Sequence, residues 1–116
     1  MLQLITQAND RFPYNNNAYN FEIYGSKDTE PFGFIQIEVS GIQAMLMDNF
    51  YKEINKDRIE AIKIDWKEIE QFLLTLGVKQ IIATMSTEHL QHGKKMARMM
   101  GFSKPVAMYV CAKEIK

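Results

Sequence analysis

The chain has 116 residues, and its 14 Lys and Arg are matched by 14 Asp and Glu, so the formal charge is zero. That length holds one domain, able to bury roughly 65% of its unfolded surface without a metal or disulfide staple. Zero charge argues against a dedicated nucleic-acid binder, and the single cysteine, Cys111, excludes an internal disulfide and a four-cysteine zinc site.

No apolar run reaches the ~20 residues of a membrane-spanning helix. Met1 to Asp10 lacks the basic start and apolar stretch of a secretory signal. The expectation is a soluble cytoplasmic protein of a reducing compartment. The eight methionines read as adaptable core filler.

Leu2 to Phe12 is ambiguous between a short strand and a helical turn. Pro13 with Asn15, Asn16, Asn17 and Asn20 reads as a loop, because Asn bonds to nearby backbone. Phe21 to Tyr24 alternates as a strand does, and Ser26 to Pro31 forms a hairpin connection. Phe32 to Val39 is the clearest strand, with Ile35, Ile37 and Val39 on one face and Phe32, Phe34, Gln36 and Glu38 on the other. Ser40-Gly41 closes a turn, and Ile42 to Asp48 returns as the partner strand.

The period then changes. Ile59, Ile62, Trp66, Ile69, Leu73 and Leu76 alternate spacings of three and four, predicting an amphipathic helix over Asp57–Leu76. Asp57 and Glu60 have capping-box spacing at its start, and Gly77 stands where a helix stops. Lys63, Lys67, Glu60 and Glu70 take the wet side, and Trp66 reads as core. Val78 to Met85 reads as a buried strand. Thr87 to Met100 reads as a helix with Leu90, Gly93, Ala97 and Met100 inward, closed by Gly101 with Phe102 packing back. Val106 to Lys113 is the last expected strand.

Hairpin strands feeding alternating helices and strands give an α/β or α+β domain spanning 1–116, with a mixed sheet. The long helix makes strands Ile42–Asp48 and Val78–Met85 parallel. No Walker loop, Rossmann glycine pattern or zincin motif is present. His89 and His92, three apart, read as a solvated pair with no third metal ligand. Cys111, between Val110 and Ala112, reads as a small core residue. Lys94, Lys95 and Arg98 form the densest basic patch, either solvated or set to meet an acidic group.

This order, ending in a helix closed by Gly101-Phe102 before a final strand, resembles the GNAT (Gcn5-related N-acetyltransferase) superfamily. In the stretch Leu90 to Phe102, Gly93 and Gly101-Phe102 match the family's late helix, whereas Leu90 stands for its usual Asn and Ala97 for its usual Tyr. Gly33-Phe34-Ile35 and the stretch Arg58 to Lys63 resemble small acetyltransferase-like proteins of tailed bacteriophages. The likeness covers roughly Phe32 to Tyr109.

The resemblance implies a mixed, mostly antiparallel sheet with helices on both faces, and an acetyl-CoA-dependent acyl transfer to an amine on a small molecule or protein. A helix start offers unpaired N–H donors and partial positive charge to the pyrophosphate. Here the stretch Tyr51 to Arg58 has that place, without the family's glycines. By position, the cofactor-binding candidates are Met47, Lys52, Asn55, Lys56 and Arg58, with Lys94 for the adenosine phosphate. Transfer needs a base and an acid; Glu38 or Asp48 has the base's position, and Tyr109 is the substitute acid. The missing glycines and tyrosine motivate a second expectation: an inactive scaffold acting through a phage or host protein partner or as a homodimer, as in virion or head assembly.

Overall fold

The computed structural model describes residues 1–84, 90–102 and 113. In chain order the elements are β1 (Leu2–Ile5), β2 (Tyr19–Ile23), β3 (Gly33–Ser40), β4 (Gln43–Tyr51), α1 (Lys56–Thr75), β5 (Gln80–Ala83) and α2 (Leu90–Met99). Among the described residues the strands form a five-stranded sheet in sequence order, β1-β2-β3-β4-β5. The first four strands are antiparallel to their neighbours, and β5 is parallel to β4. This is the expected mixed, mostly antiparallel α+β fold. The expected strand Val106 to Lys113, with Tyr109 and Cys111, lies outside the described residues except for Lys113. Met85 and the helix start at 87–89, with His89, lie outside them too.

One side of the sheet carries the main core. Ile35 and Ile37 of β3 are fully buried, as are Ile62 and Ile69 of α1, with Trp66 and Leu73 nearly so. Burying each such side chain contributes roughly 1.5–3 kcal/mol, so this seam orients α1 on the sheet. Met96 and Met99 of α2 and Met100 just after it join the same core, as expected of adaptable filling, whereas Met1, Met45 and Met47 are exposed.

The opposite side of β2–β4 is covered by residues 6–18. Phe12 lies on Phe34, with ring centroids 5.1 Å apart, and Gln36 donates to the Pro13 carbonyl at 2.8 Å. Glu22, buried on this side, accepts from Arg11 Nη2 at 2.8 Å and Nε at 3.2 Å, and from Asn9 Nδ2 at 3.2 Å. The ambiguous stretch Leu2 to Phe12 is therefore a short edge strand followed by a tethered segment.

The helix ends show which local signals prevail. Asn55, not Asp57, caps α1: its Oδ1 accepts from the Arg58 N–H at 2.9 Å, and the helix begins at Lys56. Asp57 sits in the first turn and accepts from the backbone N–H and hydroxyl of Ser26, docking the β2–β3 loop. Gly77, at φ 84°, ends α1 in a Schellman turn whose Val78 N–H donates to Leu73 at 3.1 Å. Leu76, expected on the apolar face, is the C-cap and is exposed. Gly101, at φ 88°, ends α2 in the same way, with Phe102 N–H donating to Ala97 at 2.9 Å. Phe102 then packs edge-on against Trp66 of α1, a partner that the sequence did not specify.

Candidate functional site

The irregularity that shapes the site lies in β4. Gln36 faces Asp48 and Ile37 faces Leu46, so Met47 is an extra residue, a β-bulge that bends the strand. On its other edge β4 pairs with β5 only from Gln43↔Gln80 to Leu46↔Ala83. From Met47 to Tyr51, β4 therefore runs on without a β5 partner among the described residues. A cleft of about 340 Å³ opens beside that stretch, between the strands and α2. Its volume falls within the roughly 300–1,000 Å³ of small-ligand sites.

The cleft is largely apolar. Leu46 and Phe50 of β4 and Ile54 of the loop after it line one side, Ala83 lies at the end of β5, and Met96 and Ala97 of α2 with Met100 just beyond it line the other. Asn49, Tyr51, Thr84 and His92 are the polar liners. Ala97, in the position where the resembled family carries tyrosine, places a methyl group in this wall.

Tyr51 is a lining residue that the sequence reading passed over. Its hydroxyl accepts from Trp66 Nε1 at 3.0 Å and donates to Met100 Sδ at 2.9 Å. Burial pushes the phenol up to about 12, so it stays protonated at neutral pH. Gly33 makes room for it: a Cβ there would meet the Phe50 carbonyl oxygen and lie 3.0 Å from the Tyr51 ring. The sequence signal was Tyr51 sharing a strand face with Asn49, visible only once β4 is known to pass Asp48.

The connection from β4 to α1 and the first turn of that helix carry most of the candidate cofactor residues. Lys52, Asn55 and Lys56 are exposed there, as is Met47 at the β4 bulge, and Lys94 on α2 is half-buried. Arg58 is committed elsewhere. Its Nη1 donates to the carbonyls of Lys52 and Glu53 at 2.8 and 3.1 Å, and Nε and Nη2 form a fork onto Asp28. The guanidinium also lies over the Phe32 ring, 5.1 Å from its centroid. Hydrogen bonding across this pair holds the Asp28 carboxyl below its ordinary range and raises Arg58. Glu53 adopts φ 48°, a conformation that favours glycine, inside the loop that Arg58 clasps.

Glu38 and Asp48 share the face opposite α1, since Glu38 pairs with Met45 and Asp48 with Gln36. Glu38 is half-buried and Asp48 exposed. Tyr109, the candidate acid, lies outside the described residues. His92 is exposed at the cleft. Among the described residues, no group of three His, Cys, Asp or Glu side chains could hold a metal ion.

No protein-family profile matches the chain, and no curated protein matches it in sequence. Solved structures do match in fold. An aminoglycoside N-acetyltransferase, AAC(6')-Iy, in complex with CoA is 14% identical with a TM-score of 0.64, the match covering 87% of this chain and 79% of that one. An apo aminoglycoside 6'-N-acetyltransferase from Acinetobacter haemolyticus is 13% identical with a TM-score of 0.65, covering 88% and 74%. A probable acetyltransferase is 13% identical with a TM-score of 0.63, covering 86% and 69%. The chain therefore shares its fold with these acetyltransferases.

Proposed function

We propose that the protein binds acetyl-CoA in the β4–β5 cleft and transfers its acetyl group to an amine. The supporting observation is the bulge at Met47 together with the end of β4–β5 pairing at Leu46, which opens a slot of ligand size in a fold shared with CoA-binding acetyltransferases. The residues fit the acyl-pantetheine arm: the walls are apolar, and Asn49 and Tyr51 supply donors. Lys52 and Lys56 are exposed where the diphosphate would lie, beside the first turn of α1.

Acetyl-CoA supplies an activated thioester. The chain's own residues bind, orient and move protons. Glu38 or Asp48 takes the proton from the incoming ammonium, and Tyr109 returns one to the leaving sulfur. Lys94 offers a charge for the adenosine phosphate. Met47 and Asn55 bracket the arm, one at the bulge and the other at the helix start. The finer likeness to tailed-phage proteins, and with it a phage origin, rests on Gly33-Phe34-Ile35 and Arg58 to Lys63 alone.

Thermal-shift titration tests the reading, because a ligand of the native state raises the melting temperature. Acetyl-CoA and CoA at 100 times Kd should add about 2.7 kcal/mol of stability. No shift at millimolar ligand would refute it. Mass-spectrometric detection of acetyl transfer to a panel of amines then tests turnover.

A second reading has its own support. Arg58 is engaged by Asp28, the Asn55 side chain takes a helix-start N–H, and Ala97 brings no hydroxyl to the cleft. These features suit an acyltransferase scaffold that acts through protein contacts, with exposed Met45, Met47 and Phe50 as contact surface. It predicts self-association or a stable partner, and no turnover with any amine; a strict monomer that acetylates amines excludes it.

A further inference from the structure

Two hydrogen-bond donors in the cleft wall converge on one sulfur atom. The Tyr51 hydroxyl and Asn49 Nδ2 lie 2.9 and 3.4 Å from Met100 Sδ. The hydroxyl's direction is fixed from behind. Trp66 Nε1 can only donate, and it donates to the Tyr51 oxygen at 3.0 Å, so the O–H proton must turn away from Trp66. It turns to Met100, from the same strand face that carries Asn49.

A thioether is a weak acceptor, so this pair of donors is underused. Met100 has an unbranched side chain that changes rotamer readily. A carbonyl oxygen arriving in the cleft would exchange a weak O–H···S contact for a full hydrogen bond. Burial keeps the phenol in its donating form throughout the physiological range.

We propose that Asn49 and Tyr51 are the specificity-determining donors of the cleft, reading a carbonyl oxygen of the acyl-pantetheine arm once the Met100 side chain moves aside. The inference rests on the acetyl-CoA reading given above. Trp66 is the positioning residue, aiming the Tyr51 proton from within α1. Met100 is the resident stand-in for the ligand's acceptor.

Calorimetric titration of the full chain with CoA, and with pantetheine, tests this. Tyr51→Phe keeps the ring and removes the proton; it should weaken both ligands by roughly 3- to 10-fold, the value of one hydrogen bond. Met100→Leu keeps the volume and removes the sulfur. It should lower the melting temperature of the free protein, because two donors lose their partner, yet tighten both ligands because the competitor is gone. If Met100 only satisfies its neighbours, Met100→Leu lowers the melting temperature with unchanged affinity, and the proposal fails. Wild-type affinity in every variant that folds also overturns it while leaving CoA binding intact. Absence of CoA binding by the unmodified chain overturns both readings together.

Discussion

Asp65 is a carboxylate in the wrong place for stability, and its cost can be measured. It sits between Ile62 and Trp66 on the buried stripe of α1 and is 2% exposed. Among the described residues one oxygen, Oδ2, has no hydrogen-bond partner, and the Met1 amino group is 3.8 Å away. Desolvation outweighs the attraction of that amine and, with a smaller push from Glu68, raises the carboxyl from 3.8 to about 6. At about 1.36 kcal/mol per tenfold change in proton affinity, the rise amounts to about 3 kcal/mol. The native state holds the proton more tightly than the unfolded chain. The benefit is therefore complete below about pH 4, is lost as pH rises towards about 6, and stays lost above that. Urea unfolding of the wild type and Asp65→Asn at successive pH values isolates this group, since asparagine never ionises. The stability difference should move in the variant's favour by up to about 3 kcal/mol between pH 4 and pH 7. A difference that stays flat across that interval would refute the desolvation argument.

Two other substitutions probe how the site is held. Gly33→Ala drives a methyl group against the Phe50 carbonyl and the Tyr51 ring, where backbone cannot turn aside; it should cost about 1–3 kcal/mol in denaturant unfolding, and an unchanged midpoint would contradict the packing. Asn55→Ala removes the bond to the Arg58 N–H and should cost about 1 kcal/mol, with faster amide exchange in the first turn of α1.

The elements that the sequence reveals are those whose burial follows a simple period. Ile62, Trp66, Ile69 and Leu73 keep the three-four spacing because one face of α1 meets one sheet, and both Schellman glycines fall where the apolar run ends. Phe34 and Gln36 alternate with Ile35 and Ile37, yet both sets are buried, because residues 6–18 cover the second face. Nothing local in that Asn-rich segment announces the Arg11–Glu22 pair or the packing of Phe12. The helix start misleads for the same reason: Asn55 and Asp57 are both good caps, and the choice is made by Ser26 in another loop. Asp65 escapes the periodic reading because its position is apolar by spacing and charged by type.

The candidate site was legible as a place more than as a set of partners. Parallel pairing of β4 with β5 was expected, but the cleft depends on a bulge at Met47 that no turn residue marks. Arg58 looks like a free cation at a helix start; Asp28, thirty residues earlier, makes it the clasp of the loop instead. Hence the two ends of the slot differ physically. The β4–α1 end has already used its arginine and a capping side chain on its own backbone, leaving Lys52 and Lys56 as screened surface charges. The inner end is lined mainly by apolar side chains, and among the described residues its Asn49 and Tyr51 donors meet only the Met100 sulfur. Under the proposed reading, discrimination for the acyl arm therefore resides in Asn49 and Tyr51, whose present sulfur acceptor is weak.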